Sequence, residues 1–135
     1  MTIQMSNEVR NARLDAIETA IGATARLRIY TGAVPANTAG AEIGVLLVEF
    51  LLAADWATNA VAGSKVLNNL PLSGTALANG VAAHFRIYDS VAGICHYQGT
   101  VTLTGSGGDM TLDNTNINAS QIVSVTSFTI TEGNA

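Results

Sequence analysis

The chain has 135 residues, 12% of them charged, a net charge of −4 and a single cysteine. That length fits one domain able to bury roughly 65 to 70% of the surface its unfolded chain exposes, so no staple is needed, and Cys95 alone excludes an intrachain disulfide. Six basic residues, four of them Arg10, Arg13, Arg26 and Arg28, are too few and too scattered for a nucleic-acid footprint.

The remaining polarity comes from Thr, Asn, Ser and Gly, which implies a largely neutral surface. The longest apolar stretch, Val45 to Ala54, is broken by Glu49 and falls short of the roughly 20 residues that span a bilayer. The opening MTIQMSNEVR has no basic segment followed by an apolar one, so no secretory signal is read, and a soluble product made in a cytoplasm is expected.

Residues 6–21 predict a helix. Ser6 or Asn7 can cap it, Leu14, Ile17 and Ile21 recur at helical spacing, and Gly22 ends it. Arg10, Arg13, Asp15 and Glu18 form the opposite face, so the helix lies on something apolar, either this domain's own sheet or a neighbouring subunit. From Ala25 the period becomes two: Leu27 and Ile29 point one way, Arg26, Arg28 and Tyr30 the other. Residues 32–40, with Pro35, are loop.

Val45 to Leu52 is apolar on both faces around Glu49, which predicts a strand in the middle of a sandwich or in a subunit contact. Glu49 itself suits an outward or interface-facing gatekeeper. Residues 57–65 suggest a loop or short helical turn, Lys65 to Leu72 a short strand closed by Pro71, and 73–80 a loop. Val81 to Asp89 and Ile94 to Leu103 predict a hairpin. TGSGGD (104–109) predicts a hairpin turn and Met110 to Leu112 a short strand. In Gln121 to Thr131 the apolar parity slips between Val125 and Phe128, as a bulge would make it. RLRIYT (26–31) is echoed by HFRIYD (84–89), either from similar places in two halves of a sandwich or by chance.

No catalytic constellation stands out. His84, His96 and Cys95 fall in the hairpin, where the two histidines could approach, but zinc would need further ligands at a spacing the chain lacks. Cys95 and His96 are adjacent on a strand and point to opposite faces, so they form no local nucleophile pair. The carboxylates are dispersed, no G-x-S-x-G occurs, and the glycines of 104–109 precede no helix. Trp56, Tyr30, Tyr88 and Tyr97 would stack on a sugar or anchor a partner if exposed together, and otherwise belong to the rim of the core. A mainly β protein without catalysis, metal or cofactor is the expectation.

The order of parts is informative: SNEVRNARLDAIETAIG, RLRIYTGAVPAN, the Asp55-Trp56 dipeptide, HFRIYDSVAG and a Gly/Thr/Asn-rich second half. Over nearly its full length the chain resembles the head decoration (cement) proteins of tailed bacteriophages. The resemblance implies an N-terminal arm and helix (1–24) followed by a β-sandwich of jelly-roll type (25–135). It further implies a dimer or trimer on the capsid exterior of a virion, made in the host cytoplasm, that bridges major capsid proteins. On that reading amphipathicity and loop position suggest capsid or subunit contacts at Arg10, Arg13, Leu14 and Ile17, at Pro35 and Asn37, and at Trp56 and Lys65. A receptor- or carbohydrate-binding module of a tail fibre would share the same composition.

Overall fold

The fold is known from a computed structural model, which describes residues 3–132. One helix, α1 (Asn7–Ile21), precedes strands β1 (Arg26–Tyr30), β2 (Leu46–Leu51), β3 (Ser64–Val66), β4 (Leu72–Thr75), β5 (Gly80–Val81) and β6 (His84–Tyr88). Then come β7 (Cys95–Leu103), β8 (Met110–Leu112), β9 (Asn116–Ile117) and β10 (Ile122–Thr131). The protein is thus mainly β with one N-terminal helix. No helix among the described residues is long and apolar enough to cross a membrane.

Ser6 caps α1 by accepting from the Val9 N–H at 3.3 Å, and Gly22, at φ +88°, carries the chain out of it. The helix packs on its own domain: Leu14 and Ile21 are buried in the main core and Ile17 lies against it. Its polar face is not simply solvated. Glu18 Oε1 accepts from the N–H groups of Trp56 and Ala57, Asp15 from Ala60 and Asn11 from Gly63, so side chains of α1 satisfy the backbone of the irregular segment 56–63.

Eight strands form one curled, mixed sheet in the order β2-β1-β6-β7-β8-β10-β3, with β4 also on β10. β3 and β4 run in succession antiparallel to β10, like one strand interrupted at residues 67–71, where Pro71 has no N–H to donate to a ladder. Curling brings β4 beside β2: the Leu77 N–H donates to the Leu47 carbonyl at 2.7 Å. There Gly74 faces Phe50, whose ring carbon would stand 2.8 Å from any added Cβ. A two-stranded sheet of β5 and β9 completes the strands. Inside the curl lie Leu27, Ile29, Leu47, Val48, Phe85, Ile87, Met110, Leu112, Val123, Val125 and Phe128, with Leu14 and Trp56.

Several expectations are corrected. β2, expected in the middle of a sandwich or in a subunit contact, is the terminal strand of the sheet order, and a register shift opposite Ile29/Tyr30 turns both Leu47 and Val48 inward while Leu51 stays exposed. Residues 73–75, expected as loop, belong to β4. TGSGGD is not a hairpin turn, because β7 and β8 are parallel. The six residues double back along β7, with the Gly108 N–H on Thr102 Oγ1 and Asp109 accepting from both the N–H and Oγ1 of Thr100. The two R-I-Y strands are direct neighbours, antiparallel about Arg28 and Arg86. The β6–β7 hairpin and the shift in β10 between Val125 and Ser127 match the sequence expectation, the latter returning Phe128 to the core.

Because Leu14 is fully buried where helix meets sheet, Leu14→Ala should lower unfolding free energy by about 2–5 kcal/mol, and Ile17→Ala by less. Denaturant titration followed by circular dichroism checks this; a silent Leu14→Ala would show that α1 is not part of the core.

Candidate functional site

Alternation along β1, β2, β6 and β7 sends polar side chains to the outer face of the sheet. Register aligns Glu49, Arg28, Arg86 and Gln98 in one cross-strand row, with Tyr30 and His84 on one side of it and Arg26, Tyr88 and Cys95 on the other. Residues 32–44, between β1 and β2, fold over this layer as a strap. Arg86 Nη2 donates to the carbonyls of Thr38 (2.7 Å) and Gly40 (3.1 Å), and Gln98 Nε2 to that of Pro35 (2.8 Å). His84 Nδ1 lies 2.8 Å from the Gly32 carbonyl and Nε2 2.7 Å from Glu42 Oε2. Under the strap His84 is 0% and Arg86 2% exposed.

Arg28 and Arg86 stand directly opposite each other, an arrangement that like charges disfavour. Three neighbours offset it. Glu49 bridges Arg26 (2.8 Å) and Arg28 (2.6 Å), the strap carbonyls take Arg86, and the Tyr88 ring lies 5.1 Å from the Arg28 guanidinium and 5.6 Å from that of Arg86. Burial raises the Glu49 carboxyl, but the hydrogen bonds and charges of Arg28 and Arg26 outweigh it and leave it below its ordinary range. Burial, then the hydrogen bond with Tyr30, pushes the Tyr88 phenol well above its ordinary value, so it stays neutral. Cys95 Sγ accepts from Arg86 Nε at 3.2 Å and donates to the Tyr97 carbonyl at 3.4 Å.

A second buried cation ties α1 to β3. Lys65, 2% exposed, donates to Asp15 (2.9 Å) and to the Thr58 carbonyl (2.7 Å), and lies 3.0 Å from Glu18. Burial lowers its ammonium, but Asp15 and Glu18 outweigh that and hold it above its usual value. The Lys65 hydrogen bond, then that of the Ala60 N–H, keeps Asp15 below its own.

The eight suggested contact residues divide accordingly. Leu14, Trp56 and Lys65 offer no surface to a partner: Leu14 is core, Trp56 is core with Nε1 on the Gly22 carbonyl, and Lys65 is enclosed by its carboxylates. Ile17 is half-buried against the core. Arg10 donates twice to the Glu132 carbonyl, and Arg13, still largely exposed, pairs with the Glu132 carboxylate at 3.0 Å. Asn37 is exposed at the crest of the strap and Pro35 half-buried in it. Glu49 points outward, as expected of it, and there is engaged by the chain's own Arg26 and Arg28.

His84 and His96 sit at opposite ends of the β6–β7 hairpin and do not approach. Among the described residues no group of three or more His, Cys, Asp or Glu is placed to hold a metal. Sequence reasoning missed Glu42 and Arg86; the available signal was an arginine directly between the apolar Phe85 and Ile87. Comparison with protein-family models, with curated proteins and with solved structures finds no match for this chain.

The lowered Glu49 carboxyl links this layer to pH. Its ordinary value is 4.5 and its folded value lies below that. It therefore contributes stability above pH 4.5, and loses it as pH falls through the folded value. Glu49→Gln should cost about 1 kcal/mol at neutral pH and flatten the acid limb of stability against pH. Urea midpoints of both proteins across the acid range test this; parallel curves would show that the bridge to Arg26 and Arg28 contributes nothing.

Proposed function

We propose that the protein is a structural virion component that binds the outside of an assembled phage capsid and stabilises it by bridging major capsid protein subunits, without making or breaking a covalent bond. The observation that carries this reading is the internal use of charge. All six Lys and Arg side chains engage the chain's own groups: Arg10 and Arg13 at Glu132, Arg26 and Arg28 at Glu49, Lys65 at Asp15 and Glu18, and Arg86 under the strap. Large aliphatic side chains are left outside, among them Ile43 (90% exposed), Val91 (80%), Val61, Leu51 and Leu77. An exterior short of cations and partly apolar suits protein contact, since the centres of protein interfaces are poor in charge.

The resemblance to cement proteins supplies the partner. A clamp that binds only the expanded lattice stabilises that lattice by mass action, and a dimer or trimer of such clamps turns weak contacts into durable ones. A jelly-roll-type sandwich belongs to the same proposal. What supports it is the curl of the sheet, which brings β4 beside β2 and encloses the core. The tail-fibre reading has less to rest on: Trp56, Tyr30 and Tyr88 are buried and provide no stacking platform for a sugar.

Purified protein added to expanded capsids that lack it should bind to saturation and raise the temperature at which they disrupt. Absence of binding, with attachment to host cells or glycans instead, would replace this reading by the receptor-binding one.

A further inference from the structure

The strap and the β6–β7 turn leave between them an open cleft of about 480 Å³, floored by Arg86, Tyr88 and Cys95 and walled by Ala39, Ala41, Glu42 and Ile94. That volume lies within the range of small-molecule sites. The donors of Arg86 can be followed one by one. Nε is on Cys95 Sγ, and both N–H groups of Nη2 are on strap carbonyls. Among the described residues Nη1 makes no hydrogen bond: the Glu42 Oε2 carboxylate oxygen is 3.8 Å away and already lies 2.7 Å from His84.

A guanidinium keeps its charge at every accessible pH. On this face three guanidiniums, those of Arg26, Arg28 and Arg86, meet two carboxylates, Glu49 and Glu42, and Glu49 is shared by Arg26 and Arg28. The nearby Asp89 is engaged with the Gly93 N–H at 2.8 Å. Among the described residues Arg86 is therefore a buried cation without a hydrogen-bonded carboxylate, its Nη1 3.8 Å from Glu42, and it borders a cleft whose walls beyond Glu42 are small or aliphatic.

We propose that this cleft binds a carboxylate carried on a short aliphatic chain, its oxygens accepting from Arg86 Nη1 and its carbons lying against Ala39, Ala41 and Ile94. The carboxylate can come from a free aliphatic acid or from an acidic side chain of a docked protein. The proposal does not depend on the capsid reading.

Amide NMR of the whole chain, titrated with butyrate, with the isosteric neutral butyramide and with a capped glutamate, tests it. Butyrate should move the amides of Gly40, Gly93 and Cys95 along saturable curves, and butyramide should not. Ile94→Asp, at an exposed rim position, places a like charge beside the site and should weaken butyrate by about tenfold or more while leaving the rest of the spectrum unchanged. Tighter binding of the capped glutamate than of butyrate assigns the ligand to a protein partner; equal or weaker binding assigns it to a free acid. The proposal is overturned if butyrate gives no saturable shift, if butyramide matches it, or if Ile94→Asp binds butyrate as well as the parent does.

Discussion

A charge that cannot be neutralised has been placed where water hardly reaches, and the surroundings of β6 follow from that constraint. Phe85 and Ile87 must face the core, so alternation sends Arg86 to the opposite side of the sheet. A buried guanidinium is tolerable only if nearly all of its donors are satisfied. The strap meets that need chiefly with the carbonyls of Thr38 and Gly40, and it also brings the Glu42 carboxylate to 3.8 Å from Nη1. In turn the strap owes its position to Arg86, His84 and Gln98, because the segment contains no regular structure of its own.

Lys65 follows the same rule at the contact of α1 with β3. An irregular segment, 56–63, is held by side chains of α1, and the buried ammonium beneath it faces two carboxylates from that helix. In both places charge serves to fix a stretch of chain that has no ladder to hold it. The exterior is consequently short of cations and relatively rich in aliphatic groups, which connects the folding problem to the surface the protein presents.

Local features were legible in the sequence wherever short-range chemistry decides them. Ser6, the Leu14/Ile17/Ile21 spacing and Gly22 define α1, and alternation identifies β1 and the β6–β7 hairpin. The parity slip before Phe128 marks the irregularity in β10. Long-range pairing was not legible. Val45 to Leu52 announces burial on both faces, but apolarity does not say what does the burying; here a bulge and the adjacent β4 do so at a sheet edge. A six-residue connection between parallel strands runs against the usual need for a longer crossover, so TGSGGD favoured a hairpin. For the site, the pattern of HFRIY shows that Arg86 points away from the core, while nothing local shows that residues 32–44 fold back to cover it.

The interruption between β3 and β4 also has a practical meaning. Around exposed Asn69 the chain leaves the ladder with β10 and rejoins it at Leu72, while Asn68 remains anchored to the carbonyls of Trp56 and Asp55. Foreign sequence spliced in after Asn69 would displace no strand pairing and would emerge between two fixed ends. The fold thus offers a natural port for grafting epitopes or tags, and if the protein does coat a shell, every copy would display its cargo.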